Sequence, residues 1–148
     1  MTSTAPPALR FAFRITALVG EYLPLEQRGP ELLEFIPITG GTVEGDVTGE
    51  IIPGGGDWCL TRADDAYRVE ARYLFRTLEG HVVDVVNVGI LRHLEGETGS
   101  SKEMRYFLTT PVFRTTAASL QWLTRSVFIG RADARDGATV IDVFEVLS

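Results

Sequence analysis

The chain is short of the residues that most often carry chemistry by themselves. Cys59 is the one cysteine among 148 residues, which excludes an intramolecular disulfide and any multi-cysteine metal site. Two histidines, His81 and His93, cannot build a His-rich metal site within one chain. No apolar run approaches the ~20 residues of a membrane-spanning helix. The opening stretch MTSTAPPALR lacks the basic-then-apolar pattern of a secretory signal. Basic charge is also scarce: 14 Lys+Arg against 20 Asp+Glu leave a net charge of −6. Nucleic-acid phosphates need clustered cations, and no such cluster is present. These absences predict no nucleic-acid or membrane partner, no cysteine- or histidine-based metal site, and a cytoplasmic location.

What the chain does contain is core material. A hydrophobic fraction of 45% with 23% charged residues is a globular composition. From size scaling, a chain of this mass exposes roughly 7,500 Å² when folded and roughly 24,000 Å² when unfolded, so about two-thirds is buried without help from disulfides or metals.

The dominant hydrophobic period is two. Residues 1–8 read as an N-terminal tail and residues 9–148 as a single domain. In residues 9–19, Leu9, Phe11, Phe13, Ile15, Ala17 and Val19 alternate with a second set, which predicts a strand. Residues 20–34 are irregular, either one helical turn from Pro30 or a loop packed by its leucines. The β-branched, glycine-rich stretch 35–52 predicts extended structure with bulges, and residues 53–56 (PGGG) a turn. Further strands are predicted over residues 66–77, 82–91, 104–115, 120–131 and 139–147, with Asp136-Gly137 as a hairpin turn before the last. Residues 82–91 are apolar on both faces, which predicts a central strand. About eight or nine strands with almost no helical periodicity must hide their edges. The predicted fold is all-β, a single-domain antiparallel barrel with a central cavity or else a two-layer sandwich; about eight strands enclose one small ligand.

Several stretches resemble the domain-of-unknown-function 3237 family (uncharacterised protein family 0311). They are residues 37–45 (PITGGTVEG), 49–58 (GEIIPGGGDW) and 70–73 (EARY), then 87–89 (NVG), Tyr106-Phe107 with Pro111 and Phe113, and Trp122-Leu123 with Arg125. The resemblance runs from about Leu9 to the end. It implies a lipocalin-like antiparallel barrel with a central cavity. It implies little about activity, because most members are unassigned. The few with roles are ring-closing tailoring enzymes of polyketide pathways, which add a hydroxyl across an activated alkene without a cofactor. The chain departs from the family's usual residues at Thr124, where Asn is frequent, and at Leu108, where Arg is frequent.

The candidate chemical residues each have two readings. Strand alternation puts Glu70, Arg72, Leu74 and Arg76 on one face and Val69, Ala71, Tyr73 and Phe75 on the other. If the first face lines the cavity, Glu70 is a proton donor or acceptor tuned by burial and by Arg72. If it faces out, the pair is a surface ion stripe. Asp57-Trp58 follows the glycines, as a carboxylate beside an aromatic wall or as a turn cap with a core tryptophan. Asn87 lies in an apolar strand, where its amide either orients a ligand or braces the backbone. Tyr106, Trp122 and Thr124 either wall a ligand site or belong to the core. His81 and His93 have no partner motif, and Cys59 reads as a small hydrophobe.

Two functional classes follow. One is a cofactor-independent acid–base enzyme for ring-closing hydroalkoxylation, isomerisation or dehydration of a small apolar, oxygenated or polyketide-like metabolite. In it, Glu70 or Asp57 moves the proton, and Arg72, Tyr73 or Asn87 steadies charge on oxygen. The other is a carrier that binds such a molecule without turnover. Homodimers or higher homo-oligomers through a sheet edge are compatible with either.

Overall fold

A computed structural model describes residues 3–148; residues 1 and 2 of the expected tail lie outside the described residues. Nine strands follow in chain order: β1 (Ala8–Val19), β2 (Leu23–Arg28), β3 (Glu31–Gly45), β4 (Gly49–Thr61), β5 (Tyr67–Thr77), β6 (Val82–Arg92), β7 (Tyr106–Arg114), β8 (Phe128–Arg135) and β9 (Ala138–Leu147). They form one sheet in the order β1-β9-β8-β7-β6-β5-β4-β3-β2, and β1 also pairs with β3. That last pairing closes an eight-stranded antiparallel barrel and leaves β2 as an extra strand on β3. No helix among the described residues is long and apolar enough to cross a membrane.

Most turns sit where their chemistry places them. Asp136-Gly137 is the two-residue loop between the paired Arg135 and Ala138. Asp64 Oδ1 accepts the N–H of Ala66, an Asx turn between β4 and β5.

Four local expectations are corrected. Residues 20–34 are not irregular: residues 23–28 form a strand, and residues 31–34, read as a helical turn or a packed loop, begin β3 and pair back onto it as a hairpin. Residues 53–56 are not a turn but a bulge inside β4, with three residues (53–55) set against Tyr73 alone on β5. Residues 120–127 are not a strand: a 3₁₀ turn (Ala118–Leu120) leads into a single helical turn, α1 (Trp122–Arg125), and β8 starts only at Phe128. The Gln121 amide holds this segment by donating to the carbonyls of Thr115 and Ala117. Finally, a bulge at Ala12 shifts the phase of β1, so Phe13, Ile15 and Ala17 point inward while Leu9 and Phe11 are exposed.

The core has two parts. Phe13, Phe75, Phe113 and Phe128 interlock at one end of the barrel, with ring centroids 5.2–6.5 Å apart. Leu123 of α1 is buried in the same cluster and Trp122 packs on it, so α1 plugs that end. Toward the other end, Ile36, Cys59, Val69, Leu91 and Phe107 form a second cluster. The strand β6 sends Val83, Val85, Asn87 and Leu91 inward, as its alternation requires. Its other face, with Val82 exposed, lies on the outer wall rather than under a second layer; a barrel has no central strand.

Candidate functional site in the barrel lumen

Between the two apolar clusters lies a cavity lined by Ala17, Ile38, Asp57, Ala71, Tyr73, Asn87, Thr109, Ala132 and other inward residues. Its volume is about 50 Å³. That exceeds the roughly 10–15 Å³ needed by one water and falls short of the ~150 Å³ of a cavity that takes benzene.

Strand register assembles its polar groups. Asp57 on β4 pairs with Ala71 on β5, and Ala71 pairs with Asn87 on β6. The two polar side chains thus flank one alanine on a single level of the wall. Tyr73 follows two residues along β5, on the same inner face. Thr109 on β7 pairs with Gly89 on one side and Gly130 on the other. A Cβ at Gly130 would sit 2.3 Å from Thr109 Oγ1, so the glycine makes room for the hydroxyl.

Tyr73, Asn87 and Thr109 are 3%, 5% and 3% exposed. The Tyr73 hydroxyl, Asn87 Oδ1 and Thr109 Oγ1 have no hydrogen-bond partner among the described residues. Each such atom costs about 1–3 kcal/mol if it stays unmet. Three in one small space mark a surface built to meet a ligand or water.

Asp57 supplies the acid. Its Oδ1 accepts the backbone N–H of Glu70 at 2.9 Å. Burial pushes its carboxyl up to about 6, with the Glu70 charge adding to the rise and the N–H bond opposing it. Burial and the nearby Asp57 charge also push the Tyr73 phenol above its ordinary value, so at neutral pH it is a proton-bearing donor. The arrangement can therefore exchange a proton at Asp57 and stabilise an oxygen with neutral donors. Among the described residues no group of three or more His, Cys, Asp or Glu side chains is placed to hold a metal ion.

The family described as "Protein of unknown function (DUF3237)" matches residues 7–146. The chain belongs to the domain-of-unknown-function 3237 family. The UPF0311 protein RPA1785 of Rhodopseudomonas palustris is 36% identical over 146 residues, covering 93% of this chain and 95% of that protein. Its crystal structure, described as a conserved protein of unknown function, superposes with a TM-score of 0.87 over 97% of this chain and 100% of that one. A beta-barrel like protein from Acinetobacter baumannii shares the fold at TM-score 0.84 and 23% identity, over 97% of this chain and 99% of that one. So does an enzyme from Penicillium herquei at TM-score 0.78 and 20% identity, over 99% and 98%.

In this DUF3237 member the lumen collects Asp57, Tyr73 and Asn87 of the residues singled out from the sequence, and leaves the others elsewhere. Glu70 and Arg72 are exposed on the outer wall, so neither faces the cavity. Val69, Ala71, Tyr73 and Phe75 take the inner face of β5, and alternation sends the charges out. There Glu70 lies 3.6 Å from Arg68 and Arg72 3.8 Å from Asp84. Trp58 faces out next to Phe35 at 5.0 Å between centroids. Tyr106 faces out under the Arg92 guanidinium. Trp122 belongs to the end plug, and Thr124 is exposed on α1 with its hydroxyl donating to the Gln121 carbonyl. Cys59 packs in the second cluster, and burial pushes its thiol up to about 12. His93 contacts the Gly99 carbonyl in its loop. Sequence reasoning missed Thr109; its signal was the alternation Phe107, Thr109, Pro111, Phe113, which puts the hydroxyl in an apolar face.

Proposed function

We propose that this barrel is a cofactor-independent acid–base enzyme acting on a small, largely apolar, oxygenated metabolite. The reaction class is ring-closing addition of a hydroxyl across an activated alkene, or an isomerisation or dehydration that moves the same proton. The observation that carries this reading is Asp57, an acid pushed up to about 6, in one cavity with three unpartnered neutral polar groups. A carboxyl poised there can take and return a proton near neutral pH. Asp57 removes the proton of the attacking hydroxyl, the C–O bond forms as the alkene π bond breaks, and the proton ends on the adjacent carbon. Tyr73 and Thr109 donate to the substrate carbonyl as it gains negative charge. Among the described residues no cation lines the lumen, which favours neutral or enolic substrates over free carboxylates. The fold-level likeness to a Penicillium herquei enzyme is compatible with catalysis in such a barrel.

The test is cyclisation of o-hydroxyphenyl vinyl ketone to 4-chromanone, followed by absorbance. The protein should accelerate it, with a rate that rises through about pH 6. Asp57→Asn should cost about 100-fold or more. Tyr73→Phe and Thr109→Val should each cost about tenfold without lowering thermal stability, because each removes a buried hydroxyl that has no partner. Full activity in Asp57→Asn would remove that residue from the mechanism. Saturable binding without turnover would favour the carrier.

A further inference from the structure

A second site lies on the outside of the barrel, across the wall from the lumen. The β4 bulge, residues 53–55 against Tyr73 alone, bows the chain outward and leaves a groove of about 440 Å³. That size suits a drug-sized ligand. The groove floor at Gly54, Gly55 and Gly56 carries no side chains. Phe35 packs onto it so closely that a Cβ at Gly56 would lie 2.1 Å from its ring. Trp58 stands edge-on to Phe35 at 64° and remains 41% exposed. One wall of the groove is therefore a large aromatic surface open to solvent.

The opposite wall carries Arg72 and Asp84. The nearest acid to Arg72 is Asp84, at 3.8 Å. Asp84 is already held by Arg114, through Nε at 3.0 Å and Nη2 at 2.9 Å. Two guanidinium groups against one carboxylate leave one positive charge, and Arg72 bears it. The neighbouring Glu70 lies 3.6 Å from Arg68, and Arg76 sits opposite Glu50 in the β4–β5 register.

We propose that this groove binds a planar aromatic carboxylate. The ring stacks along Trp58 and Phe35, and the carboxylate takes the charge-assisted hydrogen bonds that Arg72 lacks. The glycine floor lets a flat molecule lie against backbone. The groove adjoins the lumen across Tyr73, which lines both, but its cation, Arg72, is not among the lumen's lining residues, and the proposal does not depend on the acid–base reading.

The experiment is an amide and indole NMR titration with 2-naphthoate, and with 2-naphthamide as its uncharged counterpart. Naphthoate should shift the Trp58 indole and the Gly54–Gly56 amides saturably, leaving the Trp122 indole unmoved. Naphthamide should bind at least tenfold more weakly. Arg72→Gln, at an exposed position, should reduce naphthoate to the naphthamide level, whereas Asp57→Asn should leave it within about twofold. Equal binding of the two compounds would overturn the proposal. So would an Arg72→Gln variant of unchanged affinity, no saturable shift at millimolar naphthoate, or shifts confined to Asp57, Asn87 and Thr109. If Arg72→Gln disturbed the amide spectrum beyond the groove, Arg72→Lys should retain part of the selectivity for naphthoate; its complete loss there would equally overturn the proposal.

Discussion

Asp57 is a carboxyl in a largely apolar cavity, and among the described residues its one hydrogen bond comes from the backbone N–H of Glu70. Its raised pKa, from 3.8 to about 6, has a consequence for stability. An acid raised on folding binds its proton more tightly in the folded state. The stability this contributes is fully present below the unfolded value and is lost as pH rises through about 6. Two units amount to about 3 kcal/mol. Asp57→Asn removes the titration. In urea unfolding, its stability relative to the native sequence should therefore improve by about 2.5 kcal/mol between pH 4 and pH 8. A difference that stays flat with pH would mean that the carboxyl is solvated. At this scale the sequence was informative about identity and less so about direction. Asn87 in an apolar strand and Tyr73 among buried partners could be read from alternation. Glu70 and Asp57 could not be told apart as the proton site, because charge is visible in a sequence and burial is not. The apolar set on β5 was the better guide: in a barrel with an apolar lumen, it had to be the inner face.

At the scale of elements, the glycines separate two kinds of constraint. Gly41 has φ of +134°, and a Cβ there would lie 1.9 Å from the Thr16 carbonyl oxygen, across the β1–β3 pairing that closes the barrel. Gly54 in the β4 bulge has φ of +120° with nothing within 4 Å of its Cβ position. Gly54→Ala therefore meets backbone strain alone, about 1–2 kcal/mol. Gly41→Ala meets that strain and a backbone collision that only separation of β1 from β3 relieves. It should cost at least about 3 kcal/mol in chemical denaturation, or prevent folding; equal costs at the two positions would show that closure tolerates slack. The glycine-rich stretch was legible as bulged strand, but PGGG reads equally as a turn because both need the same backbone freedom. The stretch 120–127 was misread for a different reason. Leu120 and Trp122 fit a period of two, but Leu123 is out of phase with them, and its burial in the phenylalanine cluster is what the helical turn provides.

At the scale of the whole molecule, the strand count and the need to hide edges left a closed barrel or a two-layer sandwich, and the family resemblance pointed to the barrel; where the closure is weak was not visible. β6 and β7 pair at nine positions, from Asp84–Arg114 to Arg92–Tyr106. β7 and β8 pair at two, Leu108–Arg131 and Thr109–Gly130. The chain between them forms the α1 plug instead of a tight hairpin, so the ladder ends early. Thr109 sits at this seam and lines the cavity. A lumen of about 50 Å³ must open to admit a ring, and local opening starts where backbone pairing is sparse. Hydrogen exchange read by mass spectrometry should show β7 and β8 amides exchanging ahead of those of β5 and β6. A ligand held in the lumen should slow the β7–β8 peptides most, because it adds contacts on both sides of the seam at Thr109 and Ala132. A ligand in the outer groove should instead protect β4 and leave the seam unchanged. Uniform protection from β5 to β8 would place the lumen's entrance at the mouth beside the second apolar cluster.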